Sequence, residues 1–252
     1  MELEQSVIAI TGAGQGLGQT MATSLAQQGA SLALLDVNQD ALTETKELCE
    51  AFGVKAQTYQ VDVTNEEQVE TVFRDIVTEF GSLNGLVNNA GILRDGMLVK
   101  SRDGEISKMS LGDFNAVINV NLTGTFLCGR EAAVQMIESD SRGVIINISS
   151  VSRAGNMGQT NYAASKAAVA TMSSVWGKEL ARYGIRSVAI APGVVETSMT
   201  ASMKPEARER LENMVPVRRM ADPTEIAHTV RFILENEYVN GRVIEVDGGL
   251  VI

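Results

Sequence analysis

The sequence predicts an α/β fold: a single-domain, doubly wound sheet of seven parallel strands with helices on both faces. Three observations predict it. Short β-branched runs alternate with longer segments of helical period, the runs are apolar on both faces, and the first of them leads straight into a glycine-rich turn and a helix. Strands that bury both faces belong in a parallel sheet, and right-handed crossovers then lay helices on its two sides.

The predicted strands are 7–10, 31–35, 56–61, 85–87, 143–148, 186–190 and 243–246. The first ends at Thr11-Gly-Ala-Gly-Gln-Gly-Leu-Gly18, with a helical pattern from about Gln19, and the second ends at Asp36. The fourth leads into Asn88-Asn-Ala-Gly91; beyond it, Lys100-Ser-Arg-Asp-Gly-Glu105 lengthens the connection and either reshapes the pocket rim or, the favoured reading, is merely a solvated loop. The fifth reaches Ser149-Ser150 and the sixth leads to Pro192-Gly193. Residues 196–220, with Pro205, Pro216 and the run Glu206-Ala-Arg-Glu-Arg210, read as a short helical lid. Its Met199, Met203, Met214 and Met220 suit a flexible apolar substrate wall and core filling equally well. A chain of 252 residues, 44% hydrophobic, can bury one sizeable core. Residues 1–95 are then mainly a dinucleotide half and 110–252 the catalytic and substrate half.

Composition excludes other classes. No apolar stretch approaches the ~18 to 20 residues of a membrane span, and the N-terminus lacks the basic region of a secretory signal, so a cytoplasmic protein is expected. Cys49 and Cys128 are isolated and His228 is the sole histidine, which argues against a disulfide framework and a metal site. A net charge of −10 disfavours nucleic acid, anionic membranes and acidic protein partners.

Strand, glycine turn and helix form a phosphate-binding arrangement. Glycines let the backbone approach a diphosphate closely, and free N–H groups at the helix N-terminus supply positive potential. Gly12, Gly16 and Gly18 are spaced G-x-x-x-G-x-G, which is neither the G-x-G-x-x-G fingerprint nor a Walker A loop. Asp36 follows Gly18 at about the twenty residues that bring a carboxylate to an adenosine ribose. Its charge repels a 2′-phosphate, and no Arg or Lys stands beside it or inside the glycine loop, where Gln15 sits; NAD(H) is expected over NADP(H). Tyr162 and Lys166, four residues apart, share one helix face, and the ammonium is expected to lower the phenol's pKa from its reference of about 10.

With these motifs assembled, the chain resembles the short-chain dehydrogenase/reductase family over nearly all of its 252 residues. The glycine loop has that family's spacing, Asp62-Val63 matches its adenine-contacting pair, and Asn88-Asn-Ala-Gly91 its fourth-strand motif. Asn121 falls at its catalytic asparagine, followed in order by Ser149-Ser150, Tyr162 with Lys166, and Pro192-Gly193 with Thr197. Within the family the chain is most like the 3-oxoacyl-(acyl carrier protein) reductases, especially at 158–166 and 241–249.

The resemblance implies a Rossmann fold and a division of labour. Tyr162 is the general acid-base, Lys166 tunes it and holds the nicotinamide ribose, a serine hydroxyl stabilises the reacting oxygen, and Asn121 holds a water linking Lys166 to solvent. Cofactor contacts fall on Gly12, Gln15, Gly16, Leu17, Gly18, Asp36, Asp62, Val63, Asn89, Ala90, Gly91, Tyr162, Lys166, Pro192, Gly193, Val195 and Thr197. The serine is open between Ser149 and Ser150. Strand counting favours Ser150, because a two-sided core holds strand register while the 151–160 loop can lose a residue; the other serine then points away toward backbone.

The expected function is hydride transfer between NAD(H) and a secondary alcohol or ketone, with a 3-hydroxyacyl/3-oxoacyl thioester of CoA or a carrier protein as leading substrate. The alternatives are an NADP-linked 3-oxoacyl-(acyl carrier protein) reductase of fatty-acid synthesis and a catalytically idle NAD-binding sensor. A homotetramer joined through two long helices and the C-terminal strand is also implied. Reductases of acidic carriers present arginines at the active-site mouth, expected just before the fifth strand and at the end of the tyrosine-bearing helix. This chain has Met136-Ile-Glu-Ser-Asp-Ser-Arg142 and Ala181-Arg-Tyr-Gly184 there, a thinned patch that is expected to steer an acidic carrier weakly.

Overall fold

The computed structural model describes residues 1–197, 200 and 205–252. Its strands are β1 (Val7–Thr11), β2 (Ser31–Asp36), β3 (Ala56–Gln60), β4 (Gly85–Asn88), β5 (Val99–Arg102), β6 (Glu105–Lys108), β7 (Gly143–Ile148), β8 (Ile185–Pro192) and β9 (Val243–Val246). Its helices are α1 (Gly16–Ala26), α2 (Gln39–Glu50), α3 (Glu66–Phe80), α4 (Leu111–Ile118), α5 (Thr125–Glu138), α6 (Thr160–Glu179), α7 (Pro205–Met214) and α8 (Pro223–Glu235).

The seven expected strands form one parallel sheet in the order β3-β2-β1-β4-β7-β8-β9. Alternation across each strand sorts the apolar residues into two layers. Ile8, Ile10, Leu32 and Leu34 meet α1, α2 and α8 on one face; Val7, Ala9, Ala33 and Leu35 meet α3 and α5 on the other. Ile8, Ile10, Leu32 and Leu34 are wholly buried, and each such side chain contributes about 1.5–3 kcal/mol. Between β1 and β4 the winding reverses direction, so the connections leave the two strands toward opposite sides and open a crevice at their carboxyl ends.

Local chemistry sets the helix ends. Asn38, Asn65 and Ser110 accept from the backbone N–H three residues on, at 3.2, 3.1 and 2.9 Å, and Asp222 with Glu225 forms a capping box before Pro223. By contrast no side chain caps α1, whose first N–H groups therefore face the crevice unclaimed by a capping residue.

One expectation needs correction. The segment read as a solvated loop is solvated, but its backbone is an antiparallel hairpin, β5 paired with β6. Asp103 and Gly104 turn it with φ of 52° and 82°, the left-handed pair that a two-residue hairpin turn requires. Of the lid methionines, Met220 takes the core-filling role and Met214 on α7 is exposed, while Met199 and Met203 lie outside the described residues.

Candidate active site

The glycine loop leaves β1 at the switch point. Gly12 has φ +65°, a conformation L side chains rarely adopt. Gly18 packs α1 against the loop so closely that an added Cβ would stand 2.0 Å from the Gly12 carbonyl oxygen. Thr11 holds the far wall: its hydroxyl oxygen accepts from the Asn89 and Ala90 N–H groups, each at 3.0 Å, while Asn89 Nδ2 donates to the Thr11 and Gly12 carbonyls at 3.1 Å. Asp36 is tied to the same loop, Oδ2 accepting from Gly14 N–H at 3.0 Å and Oδ1 from Asn38 N–H at 3.1 Å. A narrow backbone turn, uncapped helical N–H groups and a carboxylate fixed at the tip of β2 fit a dinucleotide, with the diphosphate against Gly16, Leu17 and Gly18 and a ribose at Asp36.

Pro192 ends β8, and Gly193 N–H donates to the Val246 carbonyl at 2.9 Å. Val195 is buried and bridges to Ala221; Thr197 N–H donates to Thr200 Oγ1 at 2.8 Å. Thr197 and Thr200 face Gly16, Gln19 and Thr20 across a crevice of ≈ 380 Å³, joining the β8 end to the glycine loop. Gln15 is exposed at the loop tip. Asp62 spends its carboxylate on its own turn, accepting from Thr64 N–H and hydroxyl at 2.9 and 2.8 Å, beside the buried Val63.

The proton-handling groups converge where β7 ends. Ser150 caps the short 3-10 turn after β7, its oxygen accepting from Ser152 N–H at 3.1 Å, and its hydroxyl lies close enough to the Tyr162 phenol to favour the phenolate. Ser149 turns the other way and donates to the Lys166 carbonyl at 2.8 Å. Lys166 Nζ, buried, donates to the Ile148 carbonyl at 2.7 Å and lies 5.6 Å from the Tyr162 ring centroid. Asn121 sits in a π-helical segment, Asn119–Gly124, an irregularity that recurs at functional sites. Its amide clasps Ile92, Oδ1 accepting from the N–H at 2.8 Å and Nδ2 donating to the carbonyl at 3.1 Å, with Ser165 Oγ at 3.4 Å. Both ends of that side chain are thus anchored to protein, and Oδ1, which accepts one hydrogen bond, keeps a second lone pair. Gly91 separates Asn121 from Lys166: a Cβ there would meet Asn121 Oδ1 at 3.3 Å and Lys166 Nζ at 3.6 Å.

The electrostatics also differ from expectation. Burial pushes the Tyr162 phenol above its ordinary value; the nearby Ser150 hydroxyl pulls it back in part, and the Asp95 carboxylate adds to the rise. Lys166 was expected to win that contest, but its own ammonium is so desolvated that its pKa falls to about 8. The phenol is therefore a neutral proton donor at neutral pH.

Sequence spacing missed Gly14 and Asn161. Asn161 is fully buried, accepts from Tyr162 N–H at 2.8 Å and donates to the Arg94 carbonyl at 2.9 Å, which stitches the segment after β4 to the start of α6. Adjacency to Tyr162 was its only signal. The positions expected to carry mouth arginines lie elsewhere: Arg142, Ala181 and Gly184 line a crevice at the amino ends of β7 and β8, the opposite end of the sheet. Among the described residues no cluster of His, Cys, Asp or Glu could hold a metal ion, and no helix is long and apolar enough to cross a membrane.

Comparison with known proteins agrees with this geometry. Residues 12–251 match the family model described as enoyl-(acyl carrier protein) reductase. The chain is 41% identical to the 3-oxoacyl-[acyl-carrier-protein] reductase FabG of Thermotoga maritima, over 100% of both chains. It is 35% identical to the (3R)-3-hydroxyacyl-CoA dehydrogenase of Mus musculus, covering 99% of this chain and 98% of that one. The crystal structure of an NAD+-bound xylitol dehydrogenase superposes with a TM-score of 0.90 at 29% identity, over 99% of this chain and 100% of the other. A family model matched over residues 12–251, with relatives 41% and 35% identical over nearly the whole chain, shows that the chain belongs to the short-chain dehydrogenase/reductase family.

Proposed function

We propose that the protein is an NAD(H)-dependent oxidoreductase that interconverts 3-oxoacyl and 3-hydroxyacyl thioesters. The observation that carries the reading is the Ser150–Tyr162–Lys166 cluster at the carboxyl end of β7, beside a glycine loop whose Gly14 N–H orients the Asp36 carboxylate. Family membership makes the chemistry redox at a CH–OH carbon. The two curated relatives, named for a 3-oxoacyl and a 3-hydroxyacyl substrate, support the thioester class.

When bound, the nicotinamide supplies or accepts the hydride at the carbinol carbon. The chain's own residues handle the oxygen. In reduction the Tyr162 hydroxyl gives its proton to the carbonyl oxygen, and Ser150 hydrogen-bonds that same oxygen as charge develops on it. In oxidation the same proton returns to Tyr162. Lys166, held by Ile148, keeps a positive charge under the site at neutral pH and favours phenolate as it forms. Asn121 fixes Ile92 and with it the wall that Gly91 lines. Asp36 supports NAD over NADP, since a 2′-phosphate would stand against its charge. A homotetramer is part of the proposal, supported by exposed Phe126, Val134 and Ile137 on α5 and Val175 on α6.

NADH oxidation with acetoacetyl-CoA, run beside NADPH and beside simple ketones, tests the reading. Turnover of the thioester with NADH preferred is expected. Turnover of simple ketones alone would remove the thioester assignment, and a preference for NADPH would remove the cofactor assignment.

A further inference from the structure

We propose that the β5–β6 hairpin and Arg94 form a subsite that reads the phosphate groups of a coenzyme A thioester; this rests on the thioester reading above. The hairpin is an odd possession for a folded chain. All eight of its strand residues are exposed, so it buries little apolar surface and owes its shape to the Asp103-Gly104 turn. A segment of this kind contributes little to stability, and its use lies in what it offers to something outside the chain.

Its position says where that something sits. Gly96 N–H donates to the Gly158 carbonyl at 2.8 Å, Gln159 Nε2 donates to Asp95 Oδ2 at 2.9 Å, and Asn161 holds the Arg94 carbonyl one residue before Tyr162. The hairpin base is thus fastened to the first turn of the catalytic helix, and Asp95 is near enough to act on the Tyr162 phenol.

Its charge says what kind of ligand fits. Arg94, Lys100 and Lys108 line a groove of ≈ 220 Å³ with Ser107, Asp95 and Asp113. Among the described residues no carboxylate forms a salt bridge with any of the three cations. The two acids of the groove hold neutral donors, Asp95 the Gln159 amide and Asp113 the Ser110 hydroxyl at 2.6 Å, and keep their charge, so the groove carries three cations against two carboxylates. Lys100 and Ser107 are opposed in register and so share one hairpin face, directed into the groove. In a chain of net charge −10, a groove beside the active site with one cation in excess, and none of its cations held in a salt bridge, complements an anion. The arginines that the sequence reading sought at the mouth are replaced by this inserted set. A coenzyme A thioester carries three phosphates on the arm that trails from its reacting carbonyl; the phosphopantetheine of a carrier protein carries one.

The test compares the unaltered enzyme with a Lys100→Gln/Lys108→Gln double variant and with Arg94→Gln, on acetoacetyl-CoA, on acetoacetyl carrier protein and on the phosphate-free N-acetylcysteamine thioester. All three substituted side chains are exposed, and an unchanged melting temperature checks the fold. Expected is a KM for the CoA thioester raised about tenfold, the size of about 1.4 kcal/mol, with kcat and the phosphate-free KM unmoved. Equal changes for CoA and phosphate-free thioesters, or none for either, overturn the subsite; a loss confined to the carrier substrate overturns the assignment to coenzyme A. Calorimetric titration with coenzyme A itself reads the same subsite without turnover, expected to weaken in the variants and overturning the proposal if it does not. An enzyme idle on every thioester yet binding coenzyme A through these lysines would instead remove the activity proposed above.

Discussion

Lys166 Nζ donates to the main-chain carbonyl of Ile148 at 2.7 Å from a side chain buried beneath the active site. Burial lowers its pKa from 10.5 to about 8, so the folded state holds this proton less tightly than the unfolded chain does. Between those two pH values the unfolded state binds more protons, and stability must rise with pH. The contribution is complete above 10.5 and is lost as pH falls through about 8. Against a Lys166→Met variant, the unaltered protein should gain about 3 kcal/mol of unfolding free energy across that window, at 1.36 kcal/mol per unit. Urea midpoints taken at each end measure it, and a difference that stays flat or falls would show that the ammonium is solvated.

The two neighbouring serines should separate cleanly. Ser150 lies beside the phenol, so Ser150→Ala should lower kcat about 10²- to 10³-fold, with about 1 kcal/mol of stability lost from the turn it caps. Ser149 bonds only a helix carbonyl, so Ser149→Ala should cost about 1 kcal/mol of stability and leave kcat within a few-fold. Steady-state kinetics on both variants decide it; a catalytic collapse in Ser149→Ala would exchange the two roles.

Tyr162→Phe should reduce turnover by about 10²- to 10⁴-fold in both directions while NADH still binds, because only the proton donor is removed. Fluorescence titration with NADH supplies the binding half of that measurement. Retained turnover would mean that another group delivers the proton.

Much of this was legible in the chain. The inner strands showed because both of their faces are buried, which leaves an apolar run, while the edge strands β3 and β9 are only partly buried; the glycine loop showed because glycine has no substitute where α1 meets Gly12. The β5–β6 hairpin did not, since an exposed strand carries no burial pattern; Asp103-Gly104 was its one readable sign. Asn161 was hidden for a different reason. Its partner Arg94 is 67 residues away, a pairing that only the fold creates. The direction of the Tyr162 shift was misjudged because helical spacing reveals a neighbour's charge but not how deeply both groups are desolvated.

Asp36→Asn removes the charge and keeps an oxygen for the Gly14 N–H, while its amide nitrogen takes the place of the oxygen that accepts from the Asn38 N–H. A hydrogen bond to a charged group is worth about 1.5–3 kcal/mol, so the ratio of kcat/KM for NADH over NADPH should fall at least about tenfold. Parallel assays with the two cofactors read that ratio directly. An unchanged ratio would mean that Asp36 serves only the Gly14 and Asn38 N–H groups it already holds.

Gly18 and Gly16 offer a paired test of the glycine loop, because one is constrained by space and the other by backbone angle. A Cβ at Gly18 would stand 2.0 Å from the Gly12 oxygen and 2.8 Å from its carbonyl carbon, both backbone atoms that cannot rotate away. Gly18→Ala must therefore lift α1 off the loop, at about 1–3 kcal/mol and with loss of the geometry that meets a diphosphate. At Gly16 an added Cβ meets nothing within 4 Å, and the only penalty is holding alanine at φ +55°, about 1–2 kcal/mol. Gly18→Ala should weaken NADH binding in step with the helix displacement, visible as lower protection of the α1 amides in hydrogen exchange. Gly16→Ala should lower stability while leaving α1 protection intact. If both variants left α1 equally protected, the close approach of helix and loop would not be what shapes the phosphate site.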